Sequence, residues 1–458
     1  MRHLWAPVSI LRAATTLAVA GAIGCAHAPP EQAMSVVTAE GRLMPLDSAT
    51  VSYRVGGLRV IQRPNYANDA VAVNLYLLGG TRQLTRATQG IESLLLRTGE
   101  YGTRKYPGNG WRSAWRLTGS RMVVATEADW TVYGFLGIRQ EFDPSWDAFA
   151  DRLMHPTLAS ASLDVVRARL IAENRAMREQ PDADVMRIAD SIAFANHPYG
   201  MMARGTEAAL ASLDSEQVAA YSADQITTSR MLLVVVGNVT RAQVEAAVSR
   251  TLVELPAGHY VWTLPPPAPA FQSSVDLVSR VIPTNYVVGI FRGPPAASRD
   301  APAFRVTLAL LSSAMNSTIR HERGLSYAAN ATDVERGATA GVVYVSTGAP
   351  RAVMPLISTP MEFLRHFPGE IGNLHGFTDQ FIMEYFADNM TDASQADFLA
   401  RAQLYQGDFR KASESMESLR HVTANNVRDM AQEYFHNIHF VYLGDTTLVR
   451  RSDFTTSF

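Results

Sequence analysis

The stretch Leu264-Pro265-Pro266-Pro267-Ala268-Pro269 divides the chain. Consecutive prolines lack the N–H donors that helix interiors and sheet ladders need, so such a segment connects structures and builds none. The same order of elements is predicted on both sides of it. Before it, Val51–Gln62 reads as two strands turned at Gly56-Gly57, and Ala70–Leu78 as a nearly continuous apolar strand, hence a central one. A helix follows from Gly90, then two strands in Arg121–Ile138 around Glu127–Asp129, then helices at Phe142–Met154, Leu163–Arg178, Asp182–Phe194 and Asp214–Asp224. Met231–Val236 is a buried strand ending in Gly237-Asn238, and Arg241–Leu252 closes the unit as a helix. After the prolines, Val275–Val281 and Tyr286–Phe291 read as strands, Pro302–Ile319 as a helix, and Leu325–Thr332 and Ala340–Thr347 as strands. Helices are predicted near Pro355–Phe363, Gly376–Met390, Ala393–Tyr405 and Ala424–Tyr434, before a strand at Ile438–Leu443 that ends in Gly444-Asp445. A chain of 458 residues is too long for one ordinary core. The prediction is therefore α+β, two copies of one unit, each a mostly antiparallel sheet with helices packed on one face. The units are placed at residues 46–256 and 272–458, joined by a linker over 257–271.

With 47% hydrophobic and 18% charged residues the chain is globular, and a net charge of −2 argues against a dedicated nucleic-acid binder. No apolar run after residue 30 is long enough to span a bilayer. The N-terminus carries Arg2 and Arg12, a short apolar stretch Ala13–Ala22, and then Ala22-Ile23-Gly24-Cys25 with the chain's single cysteine. This resembles a bacterial lipoprotein signal over residues 1–24, with Cys25 lipidated and residues 25–45 as a tether; Ala22 stands where leucine is usual. Ala26 after the cysteine resembles outer-membrane routing. The rival reading is an ordinary secretory signal cut after Ala28, which delivers the chain to the periplasm. One cysteine excludes an intrachain disulfide framework.

Gly90–Thr103 reads Gly-Ile-Glu-Ser-Leu-Leu-Leu-Arg-Thr-Gly-Glu-Tyr-Gly-Thr. Ile91, Leu94 and Leu95 share one helical face, and Ser93 and Arg97, four apart, share another. The frame resembles the zinc helix of the pitrilysin/insulinase family of metallopeptidases, Gly-x-x-His-x-x-Glu-His closing with Gly-Thr. Ser93 stands in place of the first histidine, Leu96 of the glutamate and Arg97 of the second histidine. The resemblance places the third zinc ligand at Glu173, in Leu170-Ile171-Ala172-Glu173-Asn174. A catalytic zinc needs three such ligands and an open water position, and Glu173 alone cannot hold it. Two unit charges about 4 Å apart interact by roughly 4 kcal/mol at an effective dielectric near 20, so Arg97 repels a metal and favours an ion pair with Glu173. The other possibility for Glu173 is a solvated helix residue. Leu96 cannot act as a base. Glu92 points away from Ser93 and Arg97 and reads as structural. His436-x-x-His439 and the His197-Pro198-Tyr199-Gly200 turn also read as structural.

Arg320-His321-Glu322-Arg323-Gly324-Leu325-Ser326-Tyr327 resembles the family's second signature, an arginine and a tyrosine across a helix-to-strand junction. There the arginine binds peptide backbone or carboxylate and the tyrosine hydroxyl steadies an oxyanion. Alone, such a pair is as easily a surface arginine and a buried strand tyrosine. The family also uses an exposed edge strand that pairs with peptide, corresponding to the start of Arg121–Phe135; here Val123-Val124 replaces its polar opening, which weakens that grip.

The resemblance, over roughly residues 45–450, implies two related halves enclosing a chamber. It also implies a non-catalytic subunit: Arg320 and Tyr327 bind peptide substrate in trans for a zinc-bearing partner with an intact His-x-x-Glu-His helix. Zinc is expected in that partner and no cofactor in this chain. The alternative is a peptide-binding or structural scaffold with no part in proteolysis.

Overall fold

The computed structural model describes residues 35–37, 43–45, 49–372, 374–388 and 390–455. Cys25 and the signal-like segment lie outside the described residues. Within the segment predicted as a tether, Ser35–Val37 pairs antiparallel with Leu43–Pro45.

Before the prolines the strands are β1 (Val51–Val55), β2 (Leu58–Pro64), β3 (Ala70–Leu78), β4 (Arg121–Thr126), β5 (Trp130–Ile138) and β6 (Met231–Gly237). After them come β7 (Ser274–Ser279), β8 (Asn285–Arg292), β9 (Ser326–Val334), β10 (Ala340–Thr347) and β11 (His439–Gly444). The first sheet runs β1-β2-β6-β3-β5-β4 and the second β7-β11-β8-β10-β9 when read in the same direction. Without β1 the two orders coincide. Each sheet also carries a single parallel pair at the same place, β2 with β6 and β7 with β11, among antiparallel neighbours. The repeat seen as an order of elements is thus a repeat of topology.

The first unit's helices are α1 (Ile91–Thr98), α2 (Gly110–Leu117), α3 (Phe142–Met154), α4 (Ser160–Glu179), α5 (Pro181–Ala193), α6 (Glu207–Ser212), α7 (Ser215–Gln225) and α8 (Arg241–Ser249). The second unit's are α9 (Ala301–Met315), α10 (Pro350–His366), α11 (Leu374–Asp388), α12 (Asp392–Gln406), α13 (Lys411–Arg420), α14 (Ala424–Tyr434) and α15 (Ser452–Thr455). Helices α2, α6, α13 and α15 have no counterpart in the sequence prediction. Helix α10 begins five residues earlier than predicted, at Pro350, because proline suits the first helical position, where no N–H bond is lost. Pro355 and Pro360 lie inside it.

Each sheet packs one face on helices of its own half, as predicted. Val71, Val73, Leu75, Leu77, Leu233 and Val235 meet α1, α3, α4 and α8. Val287, Phe291, Val343, Val345 and Phe440 meet α9, α10 and α14. The opposite face of each sheet is covered by a helix of the other half. Helix α12 lays Leu399, Ala400 and Leu404 on Tyr76, Leu78, Val234 and Val236. Helix α5 lays Val185, Ala189 and Ala193 on Val288, Ile290, Val441 and Leu443. This exchange explains why β3 and β6 are apolar without alternation: both of their faces are buried. Fully burying one such side chain contributes about 1.5–3 kcal/mol, so the exchange makes the halves one body.

A buried carboxylate joins them further. Asp129, in the β4–β5 turn, accepts from the hydroxyls of Tyr199 at 2.7 Å and Tyr405 at 2.9 Å and from the Gly337 N–H at 2.9 Å. Burial, then the Asp129 charge, push the Tyr199 phenol well above the usual tyrosine range. His197 accepts from the Tyr199 N–H through Nδ1 and hydrogen-bonds the Pro266 carbonyl through Nε2 at 3.1 Å, pinning the linker.

Candidate functional site

Helix α1 starts at Gly90, whose φ of 84° is open to glycine. A Cβ there would stand 2.8 Å from Gly205 Cα and 2.9 Å from the Arg204 carbonyl, so glycine lets the 203–205 loop close on the helix start. That contact sets the surroundings of the predicted positions. Ser93 Oγ lies 2.8 Å from Thr126 Oγ1, at the end of edge strand β4, and donates to the Ala203 carbonyl at 3.0 Å. Leu96 is buried in the first core. Its carbonyl accepts from Arg152 Nη2 at 2.8 Å, and the Arg152 guanidinium stacks 4.5 Å over Trp111 of α2.

Arg97 meets Glu173, on α4, at 2.9 Å. Two arginines absent from the sequence reading join them. Arg204 reaches the same oxygen, Oε2, at 2.7 Å, and Arg169 reaches Oε1 at 3.1 Å. Arg169 also approaches Glu100 at 3.3 Å. Burial raises the Glu173 pKa, but Arg97 and Arg204 outweigh it and hold the carboxyl below the usual range. Arg204 is held below the usual arginine range by burial and then by the charge of Arg97. Serine, leucine and three guanidiniums do not fit a zinc ion: the one carboxylate is committed to cations and the other donors are missing. Among the described residues no group of three histidine, cysteine or acidic side chains could hold a metal. Glu92 faces inward, where Arg230 pairs with it at 2.7 Å and the Tyr221 hydroxyl donates at 2.8 Å. His439 is engaged by Ser274 and Asp276.

The second signature has its own local structure. The helix predicted over Pro302–Ile319 is α-helical to Met315 and continues as a π-helical turn, Asn316–Glu322, anchored by buried Ile319. Such turns are rare and widen the helix by one residue, which re-aims the side chains after it. The turn closes through the Leu325 N–H on the Ile319 carbonyl at 2.9 Å and through Gly324 at φ 60°. Strand β9 opens with a bulge between Ser326 and Ala328. The Ser326 hydroxyl fills the interrupted ladder, donating to the Ala328 and Ser346 carbonyls and accepting from the Ala328 N–H at 3.0 Å. Tyr327 is the extra residue, so its side chain leaves the pleat and is 63% exposed. The Arg320 guanidinium sits 4.8 Å over its ring. Tyr327 stands on the edge strand β9 of the second sheet and Arg320 on the π-helical turn before it, while Ser93, Leu96, Arg97 and Glu173 belong to the first half.

The class this defines is a duplicated α+β protein whose first half holds an arginine–glutamate network between α1, α4 and the 203–205 loop. Comparison with known proteins gives the family. Residues 59–207 match the model described as Insulinase (Peptidase family M16), and residues 212–365 match the Peptidase M16 inactive domain. The chain belongs to the insulinase family, peptidase family M16, as a member without the zinc-ligating histidines. It is 24% identical over 275 residues to the mitochondrial-processing peptidase subunit beta of Blastocladiella emersonii, covering 60% of this chain and 58% of that protein. The match thus spans less than two thirds of that curated relative. Among solved structures it resembles a peptidase M16 inactive domain from Pseudomonas fluorescens, with a TM-score of 0.78 at 16% identity over 87% of this chain and 98% of the other. The periplasmic protease PqqL of Escherichia coli gives 0.69 at 16% identity, over 87% of this chain and 48% of that one. At these identities the structural likeness is one of fold.

Proposed function

We propose that this chain is the non-catalytic subunit of a two-chain insulinase-type zinc peptidase, in which Arg320 and Tyr327 complete the active site of a partner that carries the intact His-x-x-Glu-His helix. The observation that carries the reading is the division of the two signatures. The positions expected for the metal ligands include an ion-pair network, while the arginine–tyrosine pair is presented by two backbone irregularities that cost stability in an ordinary strand and helix. Support comes also from PqqL, in which one chain is about twice the length that this chain matches. A second molecule facing this one would supply the other wall of a peptide chamber.

The roles follow from chemistry. A zinc ion held by the partner's His-x-x-Glu-His helix would supply Lewis-acid polarisation of the scissile carbonyl. Tyr327 offers one hydroxyl to the oxyanion, and Arg320 a charged fork to the peptide beyond the scissile bond. Removing one oxyanion donor costs about 10²–10³-fold in rate, so Tyr327→Phe should lower the turnover of the complex on that scale with assembly unchanged. Arg320→Ala should lose more in substrate affinity. The measurement is cleavage of a quenched peptide by each variant mixed with the partner. Wild-type rates from both variants would leave a scaffold that binds peptide and takes no part in proteolysis. The proposal extends to location: Cys25 carries lipid and holds the protein at the periplasmic face of the outer membrane, and Cys25→Ser should release it into the soluble fraction.

A further inference from the structure

We infer that the rebuilt metal position is itself a ligand site, in which Arg97 and Arg204 bind a peptide carboxylate lying beside edge strand β4. The inference concerns this chain alone and does not depend on a partner. Two guanidiniums converge on one oxygen of Glu173, at 2.9 and 2.7 Å, and a third takes the other oxygen. Arg97, Arg169 and Arg204 stand against Glu100 and Glu173, so the cluster carries one positive charge more than it neutralises. Arg97 and Arg204 cannot both be saturated by a single shared oxygen, since each guanidinium has five N–H donors in a fork suited to a carboxylate of its own. Their side chains are each 16% exposed, covered enough to weaken screening and open enough to be reached.

The neighbouring backbone says what kind of molecule brings the carboxylate. Strand β4 is the outer strand of its sheet, so one side of its ladder has no strand beside it among the described residues. Ser93, one helical turn before Arg97 on the same face of α1, is tied to Thr126 at the end of that strand at 2.8 Å. An extended peptide pairing with β4 therefore runs out beside Arg97. The Val123-Val124 opening removes side-chain polarity from this edge, and the charge for specificity comes from the arginines instead.

The test uses the purified full chain and fluorescence anisotropy with a labelled short peptide of alternating threonine and alanine. Three forms are compared: a free C-terminal acid, its C-terminal amide, and the amide with one internal aspartate. The acid should bind at least about tenfold more tightly than the neutral amide at low salt, and the advantage should shrink as salt is added. Arg97→Gln and Arg204→Gln should each reduce that advantage to within about twofold while leaving the amide's affinity unchanged. Glu173→Gln, which frees both guanidiniums from their resident carboxylate, should strengthen binding of the acid; a purely structural ion pair would not produce that gain. Binding of the aspartate peptide as tightly as the acid assigns the site to acidic side chains, and binding of the acid alone assigns it to chain termini. Equal binding of acid and neutral amide by the wild type, or a preference that survives both arginine substitutions, overturns the proposal. Melting temperatures within a few degrees of the wild type establish that the variants fold, and Arg97→Met, which removes the charge but keeps a long side chain, substitutes for Arg97→Gln if that variant does not.

Discussion

Glu92 and Glu173 show how two acidic residues of similar sequence context differ in kind. Glu92 and Arg230 are 4% and 1% exposed, and their pair at 2.7 Å is sealed inside the first half. Removing one partner of a buried pair leaves the other charge uncompensated and costs about 3–5 kcal/mol. Glu92→Gln should therefore lower the chemical-denaturation stability on that scale. Arg97→Gln should cost no more than about 1 kcal/mol, because Arg204 and Arg169 still hold Glu173 and the site is partly solvated. Denaturant midpoints of the two variants check the contrast; similar losses would mean that the rebuilt metal position is a core ion pair. The placement of Ser93, Leu96 and Arg97 on one helix could be read from the sequence because a fixed helical frame surrounds them. Arg204 could not. It lies in a loop with no periodicity, and only the closure of Gly205 on Gly90 carries it to Glu173.

Element boundaries followed from hydrophobic period and breakers over several elements. Strands β3 and β10 and helices α3 and α14 run over the predicted residues. The element that matters most to the proposed function is where the prediction fell short. Composition over Pro302–Ile319 describes a helix, but it does not encode the change from α to π at Asn316, which depends on Ile319 being held in the second core. Gly324, between the π-helical turn and β9, has a φ of 60°. Two glycine substitutions separate turn chemistry from packing. A Cβ at Gly324 meets nothing within 4 Å. Gly324→Ala should cost only the left-handed backbone penalty, about 1–2 kcal/mol. Gly90→Ala carries the same penalty plus an overpacking cost of about 1–3 kcal/mol, because its Cβ strikes backbone. Thermal melting of both variants tests this. The idea of a backbone-to-backbone seat for α1 fails if Gly90→Ala is the milder change.

At the scale of the molecule the halves depend on each other. Each supplies the helix that covers the other's sheet, and Asp129 collects donors from both. Asp129→Ala leaves two buried hydroxyls and a backbone N–H without an acceptor, a loss on the order of 3–5 kcal/mol. The linker around Pro266 should become the first site of proteolytic cleavage, since its clamp through His197 rests on the same Tyr199 loop. Limited proteolysis with mass spectrometry checks this, and a wild-type digestion pattern would show that the helix exchange alone holds the halves together. The sequence by itself determined the duplication, the α+β class, most strand limits and the shared helical face of Ser93 and Arg97. These are properties of local period, breakers and residue type at fixed helical spacing. Tertiary structure alone decided which face each helix covers, the sharing of Glu173 among three arginines, the meeting of Tyr199 and Tyr405 on Asp129, and the outward turn of Tyr327. Those contacts join residues far apart in the chain, and their geometry is set by loop closure and by packing against the other half, which no window of sequence contains.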